Sequence, residues 1–193
     1  GDRRSKPPRR KNSMTLCSKQ VEMPLETVHL VEGQLRAAGV PSPRVDAEFL
    51  VSDVLGLARS ELYSSGRPVS ALEADRLREV VQRRIRREPL AYILGEWGFR
   101  RLLLKVDDRA LIPRPETEVV VERCLAFLDN YVEPRVLDVG VGSGAISLAI
   151  ADEHLGARVI AVDSSERALS LAEENKARAG VNGRVRLVQG DLL

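Results

Sequence analysis

The sequence predicts an α/β chain in which a helical bundle precedes a β-hairpin and an open parallel sheet. Apolar residues recur three and four positions apart between residues 24 and 88, which is the spacing of amphipathic helices. Two short β-rich segments flank Arg100–Arg101 and predict the hairpin. Beyond Pro134, short apolar strands alternate with helical segments, which is typical of parallel strands joined by crossover helices.

Four helical segments are expected before Pro89. The first is predicted to end at Gly39, the second to run from Pro43 to Gly56, and a short third piece to cover Arg59–Ser64. Ser70 is the predicted N-cap of the fourth helix, with Glu73 completing a capping box. The residues expected to face the core of the bundle are Leu25, Val28, Val31, Leu35, Val45, Phe49, Leu50, Val54, Leu72, Leu77, Val80, Val81 and Ile85. The arginines expected on a solvated face, or alternatively on a docking surface for an acidic or RNA-associated partner, are Arg76, Arg83, Arg84 and Arg87.

The second half begins with the hairpin and continues into the sheet. Pro115 suits the first position of a helix, and Glu116 and Glu118 suit the positive end of its dipole. The predicted elements of this half are the hairpin strands Trp97–Phe99 and Leu102–Val106, the strands Val136–Val139, Arg158–Val162 and Arg184–Val188, and the helices Ser143–Glu153 and Ser165–Ala179.

Charge and composition exclude several classes of protein. The chain of 193 residues has a formal charge of +2, but residues 1–20 carry seven cations and one acid, so the remainder is mildly acidic. A mildly acidic body with 4% aromatic residues is unsuited to general nucleic-acid binding. Two cysteines, Cys17 and Cys124, form no disulfide framework, and no metal-ligand spacing or membrane-length apolar run is present.

The basic segment 1–22 is predicted to be disordered because it has too few apolar residues to offset chain entropy. A mitochondrial transit peptide is the weaker interpretation of this segment, since it is rich in arginine but broken by two prolines. We therefore expect a cytoplasmic protein, with a mitochondrial location as the alternative.

The chemistry is predicted to lie at the carboxyl ends of the three parallel strands. The string Leu137–Ala145 delivers a strand into a glycine-rich turn and then directly into a helix. Asp163 ends the next strand, 21 residues after Gly142, where a carboxylate can accept hydrogen bonds from both hydroxyls of a ribose. Asp191 follows the third strand, at the edge of the sheet where ligands bind in open α/β folds.

Two cofactors compete for this turn. The glycine spacing from Gly140 to Ala145 satisfies G-x-G-x-x-A, so a dinucleotide site and a dehydrogenase must be considered. Asp138, however, lies two residues before the first glycine, where its carboxylate would repel a pyrophosphate and attract a cationic amino-acid group. This pattern favours S-adenosylmethionine, which carries an ammonium and a sulfonium.

Residues 24–193 resemble the release-factor glutamine methyltransferases of the PrmC/HemK family. The strings that carry the resemblance are Arg87–Gly95, Trp97–Phe99, Leu111–Glu118 (LIPRPETE) and Leu137–Ser147. The resemblance implies a substrate-binding helical bundle (23–89), a linker with a hairpin (90–112) and a partial, Rossmann-like class I methyltransferase domain (113–193). It implies S-adenosylmethionine as cofactor and a glutamine side-chain amide in a peptide chain release factor as substrate.

The resemblance also implies which residues hold the cofactor. Asp163 would hold the ribose, while Asp191 and Leu192 would border the adenine. The residues that would enclose the amino-acid end, beside Asp138, are Gly140, Val141, Gly142, Ser143 and Gly144.

One feature of that family is missing from the sequence. The Asn-Pro-Pro-Tyr string that holds the amide in this family does not occur among the 193 residues, so no catalytic residue is assigned. We therefore expect a fragment that is inactive alone, with the strand Val136–Val139 as an exposed apolar edge. A nucleic-acid amino-methyltransferase and a non-catalytic partner-binding fragment are the alternatives.

Overall fold

The computed structural model describes residues 23–191, which form two compact units that meet between Glu88 and Pro89 in the sequence. The basic segment 1–22, predicted to be disordered, lies outside the described residues, and so does Leu192. Within residues 23–191, none of the helices combines the length and the apolar character that a membrane crossing requires.

The first unit is a small helical bundle, as the sequence predicts. It contains α1 (Pro24–Ala37), α2 (Pro43–Leu55), a 3-10 turn (Glu61–Tyr63) and α3 (Ala71–Ile85). Ser70 caps α3 by accepting a hydrogen bond from the backbone N–H of Glu73, whose carboxylate in turn accepts from the backbone N–H of Ser70. The largest fully buried side chains of this unit are Val28, Val31, Leu35, Leu50, Val51, Leu62 and Leu77.

For two residues of this unit, the predicted position in the core is wrong. Val45 is 44% exposed and Leu72 is 79% exposed. The buried side of α2 is centred on Ala47, Leu50 and Val54, and Val45 projects from the opposite side because each residue turns the helix by about 100°. Leu72 is likewise about 140° from the buried centre of α3.

The expectation of a solvated arginine face is wrong for Arg84. The Arg84 side chain is largely buried, and its Nε donates to Oδ2 of the buried Asp46 at 2.7 Å. The guanidinium of Arg87 donates to the backbone oxygens of Ala38 and Gly39, each at 2.9 Å. Arg84 therefore ties α2 to α3, whereas Arg87 makes its hydrogen bonds at the surface and stays exposed.

The second unit begins with a helix that the sequence analysis missed, α4 (Leu90–Leu94), which is too short to show a period and ends at Gly95 with φ +75°. The predicted hairpin is confirmed as the antiparallel pair β1 (Glu96–Phe99) and β2 (Leu102–Lys105). Helix α5 (Pro115–Leu128) follows, with Pro115 at its first position as predicted.

A three-stranded parallel sheet forms the rest of the second unit. Its order is β3 (Arg135–Val139), β4 (Arg158–Asp163) and β5 (Val185–Gln189), connected by α6 (Ala145–Glu153) and α7 (Glu166–Ala179). One face of the sheet is covered, since Val159 and Ala161 are buried in β4. The opposite face carries Leu137, Val139 and Ile160 with exposures of 60%, 54% and 46%. Among the described residues, β3 is an edge strand that pairs with β4 alone.

Candidate functional site

The candidate site lies where the three parallel strands end together. Strand β3 runs into the glycine turn, which we define as residues 140–144, while β4 ends at Asp163 and β5 ends at Gln189. The structure therefore brings Asp138, the glycine turn and Asp163 to one edge of the sheet, as the sequence predicts. Asp191 follows β5, and its partner in the prediction, Leu192, lies beyond the described residues.

The glycine turn has a conformation that requires glycine. The φ angles of Gly140, Gly142 and Gly144 are +78°, +55° and +89°, a region that side-chain-bearing residues rarely adopt. A Cβ atom at Gly144 would lie 2.8 Å from Cδ1 of Leu148, whereas one at Gly140 would have no heavy atom within 4 Å. The turn therefore packs closely on α6 at Gly144 and borders open space at Gly140.

Strand β4 anchors the turn through the backbone. The N–H groups of Gly140 and Val141 both donate to the carbonyl oxygen of Val162, at 2.8 and 3.1 Å. Gly144 then caps α6, because its carbonyl oxygen accepts the N–H of Leu148 at 2.8 Å. The positive end of the α6 dipole consequently lies at the turn.

Asp163 bridges the turn and the start of α7. Its Oδ2 accepts the N–H of Gly142 and its Oδ1 accepts the N–H of Ser165, both at 2.9 Å. Each carboxylate oxygen has a further lone pair, so the side chain can still accept hydrogen bonds from two ligand hydroxyls. The geometry is therefore compatible with the predicted ribose contact, which itself stays a prediction.

Asp138 faces α6 rather than the bare side of the sheet. Its Oδ2 accepts the hydroxyl of Ser147 at 2.5 Å, and Ser147 is fully buried in α6. This hydrogen bond fixes the orientation of a half-buried carboxylate beside the turn. Sequence analysis missed Ser147, although a serine on the apolar side of a predicted helix is a signal for a buried hydrogen bond.

The segment after the hairpin passes close to the turn. The hydroxyl of Tyr92 donates to the carbonyl oxygen of Ala110 at 2.9 Å, and the methyl of Ala110 lies 4.0 Å from where a Cβ of Gly142 would be. The guanidinium of Arg109 joins this segment to α7 by donating to Glu174 at 2.6 Å. Arg109, together with Lys105, lowers the pKa of the Glu174 carboxyl to about 2.

The fold and the arrangement at the carboxyl ends of the strands identify the class of protein. A parallel sheet, a turn with three positive-φ glycines, and a carboxylate at the end of the next strand are features of the class I methyltransferase fold. Residues 136–193 match the family model described as a methyltransferase domain. The predicted fold class is confirmed.

The family follows from the rest of the chain. Residues 26–95 match the model described as the PrmC N-terminal domain. The release factor glutamine methyltransferase of Fusobacterium nucleatum is 44% identical over 74% of this chain and 41% of its own length. That of Caulobacter vibrioides is 38% identical over 82% of this chain and 55% of its own length. The human MTRF1L release factor glutamine methyltransferase is 36% identical over 87% of this chain and 53% of its own length.

The predicted resemblance to the release-factor glutamine methyltransferases of the PrmC/HemK family is thus confirmed over most of the chain. The chain spans about half the length of these curated relatives.

Proposed function

We propose that this chain carries the S-adenosylmethionine site of an enzyme that methylates the side-chain amide of a glutamine in peptide chain release factors. The observation that carries the proposal is the 2.9 Å hydrogen bond from the Gly142 N–H to Asp163, which joins the glycine turn to the adjacent strand end. Relatives with 36–44% identity and that activity in their names support the choice of substrate. When bound, the cofactor supplies a methyl group on a positively charged sulfur.

The residues of the turn fit the amino-acid end of this cofactor. The open space beside Gly140 leaves room for a ligand against the backbone, and the positive end of α6 favours its carboxylate. Asp138, oriented by Ser147, offers a negative charge to the ammonium group. Val141 and Ser143 contribute backbone to the same turn. A pyrophosphate would instead meet the carboxylate of Asp138, which disfavours a dinucleotide.

The nucleoside end of the cofactor is assigned to the other two strand ends. Asp163 accepts the ribose hydroxyls in this proposal, and Asp191 with Leu192 borders the adenine. Together these residues hold and orient the cofactor, which is a contribution of position rather than of proton transfer. Because no Asn-Pro-Pro-Tyr string occurs in the sequence, we assign no catalytic residue and expect the 193-residue chain to bind cofactor with weakened affinity and not to transfer the methyl group.

The helical unit is the proposed contact surface for the release factor. Residues 26–95 match the PrmC N-terminal domain, and the unit has its own buried core between Val28 and Val81. In this proposal the domains are the bundle 23–89, the linker and hairpin 90–112, and the cofactor-binding part 113–193.

Cofactor binding is tested by calorimetry on the whole chain with S-adenosylhomocysteine and, separately, with NADH. We expect binding of S-adenosylhomocysteine alone, and Asp163→Ala should weaken it by at least about tenfold because a charged acceptor is lost. Asp129→Ala is the matched control, since Asp129 is exposed at the end of α5, before β3 begins. Tighter binding of NADH would overturn the cofactor assignment.

Substrate binding is tested by titrating a purified release factor, and separately a DNA duplex, into the same chain. We expect the release factor to bind and Asp163→Ala to leave that binding unchanged. Preference for the duplex would instead favour a nucleic-acid amino-methyltransferase.

A further inference from the structure

Asn175 is a fully buried amide in the C-terminal half of α7, with 0% of its surface exposed. Asparagine is a weak helix former, and burying its amide is unfavourable unless every polar group finds a partner. The cofactor-binding residues proposed above do not include it. The burial of this amide therefore requires partners that compensate for its removal from water.

Three hydrogen bonds satisfy the amide of Asn175. Its Oδ1 accepts the backbone N–H of Lys105 at 2.7 Å, and its Nδ2 donates to the carbonyl oxygen of the same residue at 3.0 Å. The second N–H of Nδ2 donates to the carbonyl oxygen of Ser143 at 2.9 Å. The amide has one orientation only, because a flipped group would direct its oxygen at two carbonyl oxygens.

These bonds connect two parts of the second unit that are distant in sequence. Lys105 is the last residue of β2 in the hairpin, and Ser143 lies in the glycine turn. The bond to Ser143 fixes the peptide between Ser143 and Gly144, whose N–H donates to the carbonyl oxygen of Val141 at 2.9 Å. The turn is consequently held from β4 through Asp163 and from α7 through Asn175.

We propose that Asn175 is a positioning residue that couples the hairpin to cofactor binding at the glycine turn. The proposal rests on the proposed function, because it assumes that S-adenosylmethionine or its product binds at that turn. Neighbouring ion pairs reinforce the same junction, since Glu174 accepts from Lys105 at 2.5 Å and from Arg109 at 2.6 Å. Those ion pairs are partly exposed, so the buried amide of Asn175 is the stronger link between β2 and α7.

The test uses Asn175→Asp in the whole chain. The new carboxylate has the same shape and keeps an acceptor for the Lys105 N–H, but it turns two donors into an oxygen that faces the carbonyls of Lys105 and Ser143. We expect the affinity for S-adenosylhomocysteine to fall by at least about tenfold, the effect of leaving buried acceptors unpaired. The matched control is Asn130→Asp, because the Asn130 amide donates to the carbonyl oxygen of Phe127 at the far end of α5 and should change affinity less than about twofold.

A pH series tests whether the lost donors of Asn175 cause the loss of affinity. Burial raises the pKa of an introduced carboxyl, and its protonation restores one donor. We therefore expect the affinity ratio of wild type to Asn175→Asp to shrink as the pH falls from about 8 to about 5, with no such trend for Asn130→Asp. A ratio that does not change with pH would contradict the proposal.

Hydrogen exchange on the unmodified chain supplies a second measurement that does not depend on the variant folding. Coupling between two sites is reciprocal, so S-adenosylhomocysteine at the turn should slow exchange of the Lys105 amide several-fold. Unchanged exchange at Lys105 with ligand bound, or equal affinity of a folded Asn175→Asp chain, would overturn the inference. If the wild-type chain fails to bind S-adenosylhomocysteine at all, the proposed function fails instead, and the two failures are distinguishable.

Discussion

The two units differ in the charge of their buried polar side chains, since among the described residues only the helical unit buries ionisable ones. In the described part of the helical unit, two of the three buried polar residues are charged, Asp46 and Glu48 on α2, and the third is Thr27. In the sheet unit the buried polar residues are neutral, namely Ser143, Ser147 and Asn175. The two carboxylates tie α2 to its neighbours, whereas the three neutral residues of the sheet unit belong to the glycine turn, contact it or orient Asp138.

Both buried carboxylates, Asp46 and Glu48, accept hydrogen bonds from arginines, and Glu48 also accepts one from a hydroxyl. Asp46 accepts from Arg84 of α3 at 2.7 Å. Glu48 accepts from Arg59 and from the hydroxyl of Tyr63, each at 2.5 Å. The Arg59 guanidinium, with Tyr63 and Arg44, lowers the pKa of the Glu48 carboxyl to about 2.

The largest expected loss of stability comes from removing the carboxylate of the buried ion pair between Asp46 and Arg84 in the helical unit. Asp46→Ala leaves Arg84 largely buried without its carboxylate, and we expect it to lower the free energy of unfolding of that unit by about 3–5 kcal/mol. Chemical denaturation followed by far-UV circular dichroism measures the loss. Asp75→Ala is the control. Both side chains of the ion pair between Asp75 and Arg78 are exposed, so this pair should contribute less than about 1 kcal/mol. Equal losses would erase the distinction between buried and exposed charge in this unit.

The next effect tests the sheet unit at its turn. Gly144→Ala adds a Cβ 2.8 Å from Cδ1 of the buried Leu148 and imposes φ +89° on alanine, so we expect a loss of about 2–4 kcal/mol. Gly180→Ala has φ +69° but no heavy atom within 4 Å, so it isolates the backbone cost of about 1 kcal/mol. Fluorescence of Trp97, which lies in β1 of this unit, follows the unfolding. A loss at Gly144 no larger than that at Gly180 would show that the turn does not pack closely on α6.

A smaller loss of stability is expected at low pH, and it arises from Glu48 in the helical unit. The pKa of Glu48 is lower in the folded state than in the unfolded chain, so its contribution is fully present above about pH 5 and is lost as the pH falls towards 2. We expect about 1–3 kcal/mol of stability to disappear from the helical unit over this range. Glu48→Gln removes this part of the pH dependence, and an unchanged slope in that variant would assign the acid sensitivity to other carboxyls.

The sequence predicted what depends on local spacing. The helices α1 to α3, the hairpin, the alternation of strands and helices and the position of Asp163 follow from periodicity, caps and glycines. Val45 and Leu72 were misplaced because an apolar side chain near a helix end does not reveal which side packs. Asn175 was missed because its partners, Lys105 and Ser143, are 70 and 32 residues away and such hydrogen bonds leave no local pattern. Ser147 was missed although its place on the apolar side of a predicted helix is a signal, because that signal does not identify Asp138 as its partner. The roles of Asp191 and the turn residues in cofactor binding stay predictions.

The edge position of β3 has a consequence for how the turn keeps its shape. Strand β3 delivers the chain into the turn, yet the N–H groups of Gly140, Val141 and Gly142 all donate to the last two residues of β4. Strand β4 is flanked on both sides and therefore frays less than an edge strand. The shape of the turn is thus maintained by β4, and thermal opening of β3 on its outer side need not disturb the turn.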